Sequence, residues 1–279
     1  MELYNKTSFN ISKLVTKTYS TSFSLGIAAF SPKYRDAIYG IYGFVRLADE
    51  IVDTFQGYNQ KKLIEDFRRQ TEDALKNGIS TNPILQAFIQ TVKEYNIDFH
   101  YIDAFLKSME MDLSNSYYEK NKYDEYIYGS AEVVGLMCLK VFCGEDKELF
   151  EQLIAPARSL GSAFQKVNFL RDIKSDMEER ERIYLPGINH FSKIDDESKK
   201  YLEQEVEKEF KEALEGIKKL PHGVKLGVYS AYLYYVALFR KIQRMKVKEL
   251  LKRRVRVSNP VKLALLFRGL VEVRLLKLT

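Results

Sequence analysis

Tryptophan is missing from the 279 residues, cysteine occurs twice, histidine three times, proline six times and glycine fourteen times. Each scarcity closes off a class of protein. Cys138 and Cys143, five apart in an apolar stretch, build neither a disulfide framework nor a metal knuckle. A chain of this length buries core enough to need no staple, and a reducing compartment is the plain reading. His100, His190 and His222 share no ligand spacing, so soft-metal chemistry is not indicated. Few prolines and glycines beside 46% hydrophobic residues exclude disorder and a typical β-sandwich. No apolar run approaches the ~20 residues of a bilayer span. The longest, Ala231 to Phe239, has nine residues, three of them tyrosine. The opening MELYNKTSFN holds no apolar signal core, and Asn5-Lys6-Thr7 fits a glycosylation pattern with no secretory context to give it meaning. A soluble, cytoplasmic protein able to rest against the inner face of a membrane is expected.

Charge is present in both signs but unevenly. The formal net charge of +6 conceals 13 basic and 2 acidic residues between Arg240 and Thr279, against 31 and 36 in the remainder. Ser31-Pro32 reads as a helix start, a cap residue followed by proline at the first helical position. After it, Tyr39, Tyr42, Arg46, Asp49 and Asp53 recur at three or four, which is one helical face, and Gly57 marks the end. Further helices are expected over about 58–76, 82–95, 98–115, 121–142, 146–178, 199–219, 222–251 and 259–277, with Pro156 a point of splitting or kinking in the long one. The longest non-helical stretch is about 183–197, and alternation nowhere persists long enough for a sheet. The expected fold class is all-α: a single domain over 1–279, about eight to ten helices, surrounding an elongated pocket.

Two acidic pairs carry the chemistry. Asp49 and Asp53 stand one turn apart on one helix, Asp172 and Asp176 on another. Like charges at this spacing oppose a helix by a few tenths of a kcal/mol, and a cation between them reverses the sign. Such pairs also occur on solvated faces, but three features separate these. The first pair extends a face already holding two tyrosines. Gln165, Asn168, Asp172 and Asp176 line nearly three turns with oxygen donors suited to a hard cation. Arg46 and Arg171 adjoin the acids, which suits a negatively charged ligand between them. Magnesium bridging a diphosphate is the natural hypothesis, because its charge makes the diphosphate a viable leaving group.

At these residues the chain resembles the squalene and phytoene synthase family, the head-to-head isoprenoid synthases. The resemblance is carried by Ser20 to Phe23 (STSF), Tyr39 to Asp53 (YGIYGFVRLADEIVD) and Met109 to Leu113 (MEMDL). It continues in Tyr128 to Met137 (YGSAEVVGLM), Gly161 to Pro186, which closes on IYLP, and Arg253 to Leu266 (RRVRVSNPVKLALL). It implies the all-helical isoprenoid synthase fold with a central cavity and two identical prenyl diphosphate substrates. It places Asp49, Asp53, Asp172 and Asp176, with Asn168, at the metal positions for two or three Mg²⁺ ions, Mn²⁺ being able to substitute. Arg46, Gln165, Asn168 and Arg171 fall on polar active-site positions, Tyr39 and Tyr42 on aromatic ones, and Tyr128 on a cavity tyrosine. Ser20 and Ser22 match polar residues near the diphosphate. Two departures stand out: Glu132 where glycine is common, and Thr21 where a basic residue is often found.

The implied reaction ejects one diphosphate, and the allylic cation is attacked by the second substrate. Proton loss then closes a cyclopropylcarbinyl diphosphate, and the second diphosphate leaves as C1 joins C1. A phytoene synthase ends by losing a proton, so NADPH is not expected; a squalene synthase ends with hydride from NADPH. The cation requires a water-free chamber and gains ~0.5–2 kcal/mol from an aromatic face, for which Tyr39, Tyr42, Phe44, Tyr128 and Tyr232 are candidates. Arg253, Arg254 or Arg256 would close over a diphosphate, and the remaining basic residues would attract an anionic membrane surface. Nucleic acid is not an expected partner, since the basic region holds no reading motif. The tone of the sequence is that of bacterial carotenoid-pathway members, giving a phytoene synthase acting on two geranylgeranyl diphosphates. A squalene or dehydrosqualene synthase using farnesyl diphosphate is the alternative, and a non-catalytic helical interaction protein the alternative of another class. The oligomeric state stays open between monomer and homodimer.

Overall fold

The structure, a computed structural model, describes residues 1–114, 119–179, 182–184, 188 and 194–274, Lys120 by its backbone alone. Among these residues it is helical, with no sheet. Helix α1 covers Glu2–Tyr19, α2 Thr21–Ala28, α3 Pro32–Asp53, α4 Gln60–Asn77, α5 Pro83–Tyr95 and α6 Phe99–Ser114. Then come α7 Lys120–Ile127, a π-helical turn Tyr128–Glu132, α8 Val133–Cys143, α9 Lys147–Glu178, α10 Asp196–Lys219, α11 His222–Gln243, α12 Val247–Leu250 and α13 Asn259–Arg274.

Local chemistry sets the boundaries. Pro32 opens α3 at a position where its missing N–H costs nothing. Asn59, Asn82 and Asp146 cap α4, α5 and α9 by accepting from first-turn amides. Gly78 and Asn96 end α4 and α5 in the left-handed conformation, at φ 72° and 49°. Asp195 and Ser198 form a reciprocal capping box on α10.

The two acid-bearing helices share α8 as a neighbour and otherwise pack on different elements. Helix α3 packs on α1, α5, α6 and α8, while α9 packs on α8, α10 and α11. Phe44 of α3 is fully buried and lies flat on Phe88 of α5, ring centroids 3.9 Å apart. It is therefore core and not a face for a cation. Pro156 does not split α9, which runs unbroken for 32 residues. A Cβ at Gly216 of α10 would come within 2.2 Å of the Pro156 ring, so the glycine makes room for it.

Four elements depart from expectation, the first being α2, which no expected helix covers. Helix α1 has no apolar stripe to announce it. Its buried face is Ser8, Ser12 and Thr16, four apart, with the Ser8 and Thr16 hydroxyls donating to the carbonyls four residues back. Small hydroxyl residues let α3 approach closely: a Cβ at Gly43 would sit 2.9 Å from the Ser12 hydroxyl. The expected 222–251 helix breaks after Gln243 and restarts as α12. The expected 121–142 helix carries the π-helical turn. The 23-residue run Asn121–Cys143 is long and apolar enough to cross a membrane, yet half its apolar window is buried and it packs on α6 and α9 as a core helix does. Leu185, Pro186 and His190 from the expected motifs and loop, Asn115 at the end of the 98–115 segment, and positions 275–277 of the expected last helix lie outside the described residues.

Candidate active site

A cavity of about 590 Å³ opens between α3 and α9, walled also by α2, α8 and α11. Both long helices run along it in the same sense. On α3 the lining residues pass from Ile38 and Ile41 through Tyr42 and Arg46 to Asp49 and Asp53. On α9 they pass from Leu153 and Leu160 through Gln165 and Asn168 to Asp172 and Asp176. One end is therefore polar and the other apolar. From Leu153 to Gln165 the apolar wall of α9 extends ~18 Å at 1.5 Å per residue. Phe30, Phe142 and Leu220 belong to the same lining. The Cys138 thiol, also in the wall, is pushed up to about 12 by burial and stays protonated.

Asp172 is gripped by two guanidinium groups. Arg171 donates through Nε at 2.9 Å, and Arg254, arriving from beyond α12, donates through Nε at 2.6 Å and Nη2 at 3.1 Å. Burial alone would raise the Asp172 carboxyl, but the bonds and charges of Arg171 and Arg254 outweigh it and hold the pKa below the ordinary value. Burial likewise disfavours charge on Arg171, and Asp172 more than compensates. Tyr235 donates to Asn168 Oδ1 at 3.3 Å and stacks on Phe164 with centroids 3.8 Å apart. Gln165 accepts from Asn168 at 3.4 Å.

The α3 acids are held differently. Arg46 pairs with Glu50 and lies over the Tyr19 ring at 4.4 Å. Its Nε is buried with no hydrogen-bond partner, a donor that an anion in the cavity can take. Asp53 instead receives Arg182 Nη1 at 2.9 Å, from the segment that follows α9. The same guanidinium lies 3.8 Å from Asp112 of α6, a carboxylate only 6% exposed that accepts from Tyr184 at 2.7 Å and Tyr126 at 2.9 Å. Burial pushes the Asp112 carboxyl up to about 6, opposed by Arg182 and by the tyrosine hydroxyls and reinforced by Asp53. Tyr42 is pushed to about 12, chiefly by burial, with Arg46 opposing and Asp49 adding.

Of the residues singled out in the sequence, Asp49, Asp53, Asp172, Asp176, Arg46, Arg171, Gln165, Asn168, Tyr42, Ser20, Ser22 and Arg254 line this cavity. Ser20 also caps α2, accepting from the Phe23 amide at 3.2 Å. Tyr39, Phe44, Tyr128, Tyr232, Arg253 and Arg256 stand outside the lining. Tyr39 faces Lys13 of α1 and is 3% exposed within the core. Tyr128 opens the π-helical turn and packs beneath the Arg158 guanidinium at 5.3 Å. Tyr232 packs edge-on to Phe210, leaving Ala231, Tyr234 and Tyr235 to line the cavity from α11. Arg256 is exposed, and its carbonyl accepts from Lys241 at 2.8 Å. Tyr126, two residues before Tyr128, lines the cavity in its place. Asp112 and Tyr184 also line it and Arg182 adjoins it, and none of the three was assigned a role from sequence. Their signal lay in MEMDL and RIYLP, stretches that carried the resemblance without naming a site. Glu132 pairs with Arg158, so the departure from glycine is neutralised.

Asp49, Asp53, Asn168, Asp172 and Asp176 offer only oxygen donors, the set a hard divalent cation takes. Among the described residues no three of His, Cys, Asp and Glu lie close enough to enclose a metal ion. By donor chemistry alone the five residues suit such an ion, in a site whose arginines also favour an anion.

Comparison with known proteins gives the family and the fold. The squalene/phytoene synthase family model matches residues 16–189, and the chain belongs to that family. It is 30% identical over 272 residues to phytoene synthase 2 of Solanum lycopersicum, covering 89% of this chain and 85% of that one. It is 27% identical over 263 residues to the phytoene synthase of Arthrospira platensis, covering 85% and 84%. Some chloroplastic relatives are longer: the chain spans 62% of the Daucus carota phytoene synthase. In fold it matches the crystal structure of a dehydrosqualene synthase with a TM-score of 0.81 at 22% identity, over 97% of this chain and 98% of the other. The squalene synthase HpnC of Alicyclobacillus acidocaldarius matches with a TM-score of 0.74 at 19% identity, over 87% and 95%. Plant phytoene synthases thus stand beside bacterial squalene-type structures, and bacterial phytoene synthases are not singled out.

Proposed function

We propose that the chain is a phytoene synthase, joining two geranylgeranyl diphosphates head to head through prephytoene diphosphate to phytoene, with release of two diphosphates. The observation that carries this reading is the single cavity with two acid pairs and three arginines at one end and an apolar wall along the rest. The extended similarity to phytoene synthases supports the choice of product. Asp49, Asp53, Asn168, Asp172 and Asp176 would hold Mg²⁺, which supplies the charge that makes diphosphate a stable leaving group. Arg46, Arg171 and Arg254 bind the diphosphates and offset the charge that develops as each C–O bond breaks. The apolar wall excludes water while the allylic cation is attacked by the C2=C3 bond of the second substrate. Tyr42 and Tyr235 present aromatic faces to the cationic carbon. Two protons leave overall, one on closing the cyclopropane and one at the end, and the departing diphosphate is a competent acceptor.

Incubating the purified protein with Mg²⁺ and either the C20 or the C15 diphosphate, with and without NADPH, tests the reading by mass analysis of the extracted hydrocarbon. A C40 hydrocarbon without NADPH is expected. A C30 hydrocarbon would reassign the substrate to farnesyl diphosphate, and no hydrocarbon in any arm would leave a non-catalytic helical protein.

A further inference from the structure

Arg182 joins the two acid-bearing helices. Its backbone N–H donates to the Asp176 carbonyl near the end of α9 at 2.9 Å. Its guanidinium crosses to the last turn of α3, where Nη1 donates to Asp53 Oδ1 at 2.9 Å and Nη2 to the Val52 carbonyl at 3.0 Å. The side chain is 9% exposed and fixed from behind. Tyr184 accepts from Nη1 at 3.3 Å and its hydroxyl donates to Asp112 Oδ1 at 2.7 Å. Tyr126 holds the other Asp112 oxygen at 2.9 Å, and Tyr184 lies flat on Phe169 of α9, 4.4 Å between centroids. A buried ionic network of this kind contributes little net stability compared with apolar packing. What it supplies is geometry: a planar fork locked by packing and by partners on α3, α6 and α9.

We propose that Arg182, braced by Asp112 and Tyr184, is a positioning residue that fixes Asp53 of the first acid pair relative to Asp176 of the second, so that both pairs engage one magnesium-bound diphosphate. This rests on the proposed function, which assigns the acids to metal and diphosphate. Arg182 stands outside the cavity lining, and Asp112 bears on Asp53 through that arginine. Their effect is read through the acids they hold, in how tightly and at what magnesium concentration a diphosphate binds.

The test is calorimetric titration of the full chain with inorganic pyrophosphate over a series of Mg²⁺ concentrations, a readout independent of turnover. Loss of an outer-shell partner costs about 10- to 100-fold in metal affinity, and Arg182→Met should raise the half-saturating Mg²⁺ concentration by that order with helicity unchanged. Arg182→Lys keeps the charge but loses the fork, and should recover part of the loss. Tyr184→Phe removes only the hydroxyl that links Arg182 to Asp112, and about a 2- to 10-fold rise is expected from one hydrogen bond. Should Arg182→Met fail to fold, Tyr184→Phe decides: a rise supports the inference and an unchanged value overturns it. Wild-type binding with Arg182→Met within 2-fold overturns the inference alone. Absence of magnesium-dependent pyrophosphate binding in the wild type overturns the site assignment as well.

Discussion

The two acid pairs look alike in sequence and differ in the arginines that reach them. Asp172 is served by its chain neighbour Arg171 and by Arg254, both reaching it directly. On α3 the neighbouring arginine, Arg46, turns away to Glu50, and Asp53 depends on Arg182, 129 residues distant, with a buried carboxylate behind it. Asp172 draws on a chain neighbour as well as on an arginine 82 residues away, whereas Arg182 reaches Asp53 from 129 residues away. A motif read as a string therefore gives the donors of a site without giving what holds them.

The largest expected break in that comparison comes from the better-secured acid. Asp172→Ala removes an oxygen donor and leaves Arg171 and Arg254 facing each other. Turnover on the active substrate should fall about 10²–10³-fold with helicity intact, the order seen when one charge-stabilising group is lost from an active site. Near-wild-type turnover would remove Asp172 from the mechanism.

A second contrast is in the response to pH. The Asp112 carboxyl, raised from 3.8 to about 6, contributes stability that is full below about pH 4 and lost as pH rises through 6. At 1.36 kcal/mol per unit this amounts to about 3 kcal/mol. Asp172, whose carboxyl is lowered, contributes in the opposite sense: its share is present above pH 3.8 and lost as pH falls through its native value. Denaturation of the wild type against Asp112→Asn and Asp172→Asn between pH 3 and 7 should give stability differences that tilt in opposite directions. Parallel tilts would mean that the two carboxylates are held alike.

The smallest effect sharpens the role of the distant clamp. The Arg254 side chain is 49% exposed, and Arg171 remains on Asp172 when it is removed. Arg254→Ala should therefore raise KM for the diphosphate about 10-fold while changing kcat less, the loss of one charge-assisted bond. A fall in kcat with KM unchanged would place Arg254 in the chemical step instead.

Much of this was legible in the residues. The acid pairs, Gln165, Asn168 and both arginines beside them fall on faces set by a spacing of three or four, and a helix keeps such residues together. The all-α class followed from composition and period. What escaped notice depended on other physics. Helix α1 buries hydroxyls where an apolar stripe was sought. Tyr128 opens a π-helical turn and Tyr126 lies just before it, where a count at 3.6 residues per turn no longer reports the face. Arg182 and Asp112 are brought together only by the closure of α6 and the post-α9 segment on α3, which no local pattern encodes.

The unbroken course of α9 has a consequence for how such a protein can change its product. One continuous helix carries the apolar wall of the cavity and, farther along, the acids of its polar end. Inserting or deleting a residue between Leu153 and Asp172 would twist one end against the other by ~100° and shift it by ~1.5 Å, throwing wall and acids out of register together. Under the proposed function, the simplest adaptation of α9 and its facing walls to a longer or shorter hydrocarbon is an exchange of side-chain bulk in place, at positions such as Phe30, Phe142 and Leu153. Those exchanges leave the ionic end untouched, so diversity of product can accumulate while the chemistry stays fixed.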